Sequence, residues 1–345
     1  MAFNPGDTLD KGKYTIEEEL GSGRFGTTYL ARDRHGKQWA IKTQSDQVLR
    51  QLNSKQADRL KVKFWQEATK LAQCQHDHIV KAKEPFIERS VWMFLLKRID
   101  RVCIPMEYIP GKKTLQDLPK PLPEAEALHY IQQIGEALIC VHDRNLVHRD
   151  VKPSNIMLRG DSGDAVLIDF GLAREAGAPV STVQPTTADG FAPPELYDRG
   201  AIPQPRADVY SLAATLYVLL TGEPPPKSVE RYRVHLVPPQ QKNPQISDRV
   251  NAAIVKGLEY DAALRPQTMR EWLDELLEDA GNVPKPRSPL PDPDPPRPIE
   301  VEMRNLAILG IVVAIAIGIL SAVPGWLDRM EEKETHTRTS LRLLS

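Results

Sequence analysis

A chain of 345 residues has room for two lobes or domains with cores of their own. Its 45 basic and 46 acidic residues interleave to a formal net charge of −1, which excludes the one-sided basic footprint of a nucleic-acid binder. The three cysteines, Cys74, Cys103 and Cys140, form no Cys-x-x-Cys or Cys/His cluster, so free thiols in a reducing cytosol are expected rather than a zinc site or a redox pair.

The first ten residues are polar and hold no apolar run, so no secretory signal is expected. Short β-prone runs at 14–20, 27–32 and 38–43 are broken by glycines and by Arg34-His35-Gly36. A helix is predicted over 55–73, with Leu60, Phe64 and Leu71 on one stripe. Glu67 falls on that same inward stripe, where a carboxylate needs a cationic partner. The stretch 90–102 is longer than a tight hairpin between two strands would need. From Glu124 onward the pattern is helical, with segments predicted at 125–141, 208–220, 250–259 and 268–279.

Between 284 and 298 nearly every second residue is proline. Proline fixes φ and donates no backbone hydrogen bond, so this is read as an extended spacer at ~3.1 Å per residue rather than a docking site. Residues 306–323 then carry no charge over eighteen positions. As a helix they reach ~27 Å, close to the hydrocarbon thickness of a bilayer. Trp326 follows at interface depth, and a single membrane span is predicted. Gly310, Ala314, Gly318 and Ala322 recur every fourth residue and form a ridge of small side chains on which two spans can approach as a homodimer.

The chemistry concentrates in His148-Arg149-Asp150-Val151-Lys152-Pro153-Ser154-Asn155, followed by Asp169-Phe170-Gly171. This ordered run supplies what phosphoryl transfer from a nucleotide needs: a carboxylate to orient the attacking hydroxyl, a cation for the moving phosphate, and two oxygen ligands for Mg²⁺. Upstream, Gly21-Ser22-Gly23-Arg24-Phe25-Gly26 has a spacing that dinucleotide-binding folds share. Here a strand-like run follows the glycines, and no second strand closes on an acidic residue ~20 positions on, so a β-hairpin over phosphates is the better reading. Gly111-Lys112-Lys113-Thr114 lacks the upstream glycine and the strand of a P-loop and is rejected as one.

Together with Ala40-Ile41-Lys42 and Pro193-Pro194-Glu195, these runs resemble the catalytic core of the protein kinases over about 13–277. The resemblance implies an α+β, two-lobed fold: an N-terminal segment (1–12), a β-rich N-lobe (13–108) and an α-helical C-lobe (109–280) joined near Glu107-Tyr108-Ile109-Pro110-Gly111. A disordered Pro-rich linker (281–304), a transmembrane helix (305–323) and a short extracytoplasmic tail (324–345) would follow. It also implies ATP bound against Leu20, Gly21, Ser22, Gly23, Arg24, Phe25, Gly26, Thr27, Thr28, Ala40, Glu107 and Tyr108. Lys42 would clamp the α- and β-phosphates while pairing with Glu67, Asp150 would be the catalytic base with Lys152 beside it, and Asn155 and Asp169 would bind Mg²⁺.

Further roles implied by the resemblance are architectural. His148 packs on Phe170, Arg265 is the buried partner of Glu195, Asp208 tethers the catalytic-loop backbone, and His76-Asp77-His78 is structural rather than a metal pair. Two positions depart from the family pattern: Thr28 stands where valine is usual, and Ala188 where a threonine is. Arg149 can anchor a phosphate placed on Ser181, Thr182, Thr186 or Thr187. Lys152 is similar to the lysine of serine/threonine kinases, and the order kinase, linker, single span resembles the bacterial Hanks-type enzymes. The expectation is a membrane-tethered serine/threonine kinase that uses ATP and Mg²⁺ on protein substrates, its catalytic domain cytoplasmic. A pseudokinase scaffold would have lost a lysine or aspartate that is present here, and a small-molecule phosphotransferase would lack the Lys-Pro pair and the Pro-Pro-Glu segment.

Overall fold

The computed structural model divides into two units, Met1–Asn282 and Val283–Ser345. It describes residues 3–23, 26–45, 49, 53–92, 97–160, 163–170, 174–175, 190–198, 200, 202 and 204–277. The proline spacer, the predicted span with its ridge, the tail and the candidate phosphorylation sites Ser181, Thr182, Thr186 and Thr187 lie outside the described residues, as do Ala188, Arg24 and Phe25. Among the described residues no helix is long and apolar enough to cross a membrane.

The first half of the unit is an antiparallel sheet of β1 (Thr8–Leu9), β2 (Tyr14–Ser22), β3 (Gly26–Asp33), β4 (Gln38–Gln44), β5 (Phe86–Trp92) and β6 (Lys97–Glu107), in the order β1-β2-β3-β4-β6-β5. Alternation decides its two faces. Tyr14, Ile16, Tyr29, Ala31, Trp39, Ile41 and Cys103 form one small core, while Ala40, Ile104 and Met106 turn the other way into the main core with Phe64 and Phe170. Within the stretch 90–102, residues 90–92 belong to β5 and 97–102 to β6: the two pair from Phe86↔Cys103 out to Trp92↔Lys97, whereas β4 pairs with β6 only from Thr43↔Cys103 to Trp39↔Glu107. The extra length is a two-stranded ribbon projecting past β4, and the Gln44 side chain ends the ladder by accepting from the Val102 amide at 2.9 Å.

Helix α1 (Ser54–Gln73) crosses the sheet, one residue from the predicted start. A reciprocal cap fixes that start: Asn53 Oδ1 accepts from the Gln56 amide and Gln56 Oε1 from the Asn53 amide, both at 3.0 Å. The expected stripe faces inward, with Phe64 and Leu71 buried and Leu60 partly so.

The second half is built on α2 (Glu124–His142), β7 (Leu146–Val147), β8 (Ile156–Arg159), β9 (Asp164–Leu167), β10 (Arg174–Glu175), α3 (Arg206–Thr221), α4 (Pro239–Lys242), α5 (Asp248–Gly257) and α6 (Met269–Leu277). The sequence reads α3 as apolar on one face. In the fold every residue from Ala207 to Leu220 is buried, because α2, α5 and α6 pack around it as a central pillar. All three cysteines are free thiols, and burial pushes Cys74 up to about 11 and Cys103 up to about 12.

Candidate active site

The cleft between the two halves gathers residues far apart in sequence. Lys42, on β4, places its Nζ 2.8 Å from Asp169 Oδ1, 127 positions away. The Asp169 side chain is 37 % exposed, so this carboxylate still borders the cleft. Glu67 lies on α1, and its side chain is outside the described residues.

Strand alternation supplies the roof. Thr28 sits directly opposite Lys42 in the β3–β4 ladder and Ala40 opposite Met106, so these side chains share the cleft side of the sheet. Leu20 packs on the main core at the same edge. The β2–β3 hairpin closes through Gly21↔Thr28 and Ser22↔Thr27, with Ser22 and Thr27 hydroxyls 3.2 Å apart and the Gly23 amide donating to Gly26 O at 2.8 Å. A Cβ at Gly26 would stand 2.8 Å from Thr43 O and 3.1 Å from Phe64 Cζ, so only glycine lets β3 lie this close to β4 and α1. A Cβ at Gly21 would meet nothing within 4 Å, so open space borders the hairpin there. Glu107 ends β6, Tyr108 follows it in the connector, and the Glu107 carboxylate is engaged by Arg159.

The loop after β7 is held from below. Asp208, at the start of α3 and fully buried, accepts from the His148 and Arg149 amides at 2.8 Å each and from His142 Nε2 at 2.8 Å. Burial opposes the Asp208 charge, but His142, His148 and the Arg149 amide outweigh it and hold this carboxyl below its usual range. Arg149 is thereby kept at φ 70°, a left-handed conformation unusual for a side-chain-bearing residue. His148 is buried edge-on against Phe170, ring centroids 4.9 Å apart, and burial lowers its pKa.

These restraints aim Asp150, itself only 9 % exposed. Its Oδ1 accepts from Lys152 Nζ at 3.1 Å and its Oδ2 from Asn155 Nδ2 at 2.9 Å. Asn155 Nδ2 also donates to the Asp150 carbonyl at 2.8 Å, so both amide hydrogens point at Asp150 and the amide oxygen faces the opposite side. An amide oxygen and a carboxylate, Asn155 and Asp169, are the hard oxygen donors that Mg²⁺ takes. The donor set fits the ion.

Arg265 grips Glu195 through both carboxylate oxygens at 2.7 and 3.0 Å, fixing the Pro-Pro-Glu turn. The Gly111–Thr114 run, with Gly111 at φ 91° and Lys112 at φ 53°, is a turn leading into a short 3₁₀ helix, not a phosphate loop. His78 Nδ1 bonds Ala165 O at 2.9 Å and His76 Nδ1 accepts the His78 amide, so this histidine pair fastens a loop.

Sequence reasoning missed His142, which lies eight positions before Asp150 and looks like any helix-end histidine. It also missed the Lys112–Glu18 pair, 3.5 Å apart across the cleft mouth. Neither is signalled by spacing, because each depends on which elements the fold packs together.

Comparison with known families agrees with this geometry: the protein kinase domain model matches residues 14–278. The chain belongs to the protein kinase family. Its kinase domain is 31% identical over 293 residues to the serine/threonine-protein kinase PknB of Mycobacterium leprae, an alignment covering 80% of this chain and 44% of that protein. It is 35% identical over 225 residues to PknF of Mycobacterium tuberculosis, covering 61% and 43%. The chain thus spans less than half the length of these curated relatives. Among solved structures, the PknI kinase domain of Mycobacterium tuberculosis superposes with a TM-score of 0.57 at 26% identity, covering 80% of this chain and 98% of that one. Membership of the kinase family implies use of ATP and Mg²⁺.

Proposed function

We propose that this chain is a serine/threonine protein kinase that transfers the ATP γ-phosphate to protein hydroxyls while tethered to a membrane. The observation that carries the reading is the convergence of Lys42, Asp169, Asp150, Lys152 and Asn155 on one cleft. Asp150 orients the acceptor hydroxyl and takes its proton. Lys152, already 3.1 Å from Asp150, adds positive charge where the phosphate passes. Lys42 would clamp phosphate oxygens, and Asn155 and Asp169 would hold a metal ion that would neutralise charge on the phosphates. Asp150 acts chiefly by position, and its two hydrogen-bond partners are what hold it there.

Tethering rests on the uncharged run 306–323 behind a proline spacer. With the catalytic domain drawing on cytosolic ATP, the domain is cytoplasmic and the tail beyond 323 lies outside. The small-residue ridge supports pairing of two spans, which raises the local concentration of kinase domains for phosphorylation in trans.

The test is transfer of labelled phosphate from ATP·Mg²⁺ by the full-length chain to itself and to a protein substrate, followed by phosphoamino-acid analysis. Label on serine or threonine supports the reading; no label with intact folding rejects it. Full-length protein should sediment with membranes and a truncation after residue 280 should not. Gly318→Ile should weaken self-association of the span in a membrane reporter.

A further inference from the structure

The segment 76–83 is a strap shared by both lobes. On one side it joins the C-lobe hairpin: the Val80 amide donates to Leu167 O and the Leu167 amide to His78 O, each at 3.0 Å. On the other side it joins the end of β6, with the Lys83 amide donating to Pro105 O at 2.8 Å and the Glu107 amide to Lys81 O at 2.7 Å. The interlobe connector therefore begins where the strap, β6 and the C-lobe hairpin meet.

Arg159 closes that triangle. It ends β8, and its Nη1 donates to the Asp77 carbonyl of the strap at 3.0 Å. Its Nη2 lies 3.2 Å from both carboxylate oxygens of Glu107, the first residue of the connector. Glu107 Oε2 also accepts from the Lys81 amide at 3.5 Å. Each of the two side chains is 29 % exposed, so the pair is screened only in part. A planar guanidinium holds two partners at fixed angles, which a single ammonium cannot.

We propose that Arg159 is a positioning residue for nucleotide binding: by holding Glu107 and the Asp77 carbonyl together from the C-lobe, it sets the direction in which the connector backbone runs past the cleft. The inference rests on the kinase reading above. Glu107 then serves the nucleotide through its backbone while its side chain serves the hinge.

The test uses the full-length chain and initial rates at varied ATP. Arg159→Ala should raise KM for ATP about three- to fivefold, the range of a partly exposed ion pair, with kcat changed less than about twofold. Glu107→Gln should do the same, the double variant no more than either alone, and Arg159→Lys should recover part of the loss. Independently of turnover, amide hydrogen exchange over 76–83 and 105–109 in the nucleotide-free protein should quicken in Arg159→Ala and stay as in wild type in Arg32→Ala, a change at another exposed ion pair. An unchanged KM, single effects that multiply in the double variant, or unchanged exchange would each overturn the assignment. A wild-type chain that transfers no phosphate would instead refute the kinase reading, and the exchange comparison alone would then decide the clamp.

Discussion

Replacing Arg265 by methionine keeps its aliphatic volume and removes its charge. The side chain is fully buried and makes four bonds: to Glu195 Oε1 at 2.7 Å and Oε2 at 3.0 Å, to Glu259 O at 2.7 Å and to Tyr260 O at 3.0 Å. Its guanidinium carbon also lies 5.0 Å from the Tyr210 ring centroid. Methionine strands the Glu195 carboxylate, and breaking a buried pair from one side costs ~3–5 kcal/mol. Glu195 is 21 % exposed, so water recovers part of its solvation and the low end, about 3 kcal/mol, is expected. At ~2–4 °C per kcal/mol for a domain of this size, Tm should fall by ~6–12 °C. Urea and thermal unfolding followed by the fluorescence of the protein's tryptophans, among them the buried Trp272, measure this. Pairing the change with Glu195→Gln should recover ~2 kcal/mol relative to the sum of the single costs. Strict additivity, or a cost below ~1 kcal/mol for Arg265→Met, would refute the reasoning.

Asp150→Asn must turn an amide N–H toward either Lys152 Nζ or Asn155 Nδ2, donor against donor, so phosphate transfer should drop by ~10²–10⁴ while a fluorescent nucleotide still binds; near wild-type turnover would remove Asp150 from the role of base. Gly190 has φ 88° and a Cβ there would stand 2.3 Å from Pro225 O, so Gly190→Ala should lower stability by ~2 kcal/mol or more, read as a lower urea midpoint at constant slope. Acid should destabilise the fold in two windows. His148 titrates below its ordinary 6.5 because it is buried, so as pH falls through 6.5 the unfolded chain binds the proton first and stability declines. Asp208 has a folded pKa below its ordinary 3.8, so its contribution is complete above that value and is lost as pH falls through the lower one. His148→Phe should therefore flatten the slope of stability against pH just below 6.5, and an unchanged slope would show that His148 is not the group responsible.

The sequence by itself points to the residues proposed for the cleft. Glycines at 21, 23 and 26, the lysine at 42 and the run from His148 to Asn155 are constrained by local chemistry, because a phosphate needs close backbone approach and a metal needs oxygen donors at short range. The helix over 55–73 was legible from the Leu60, Phe64 and Leu71 stripe, a local signal, while the Asn53–Gln56 cap that fixes its start emerged in the structure. Tertiary structure alone decided what those signals meet. How far β5 and β6 extend past β4 depends on strand pairing, and whether α3 buries one face or its whole surface depends on three neighbouring helices. Arg159, His142 and Lys112 look like ordinary surface residues in the chain. They acquire roles only because folding sets their side chains opposite Glu107, Asp208 and Glu18, from 52 to 94 positions away, a distance over which no sequence period carries information.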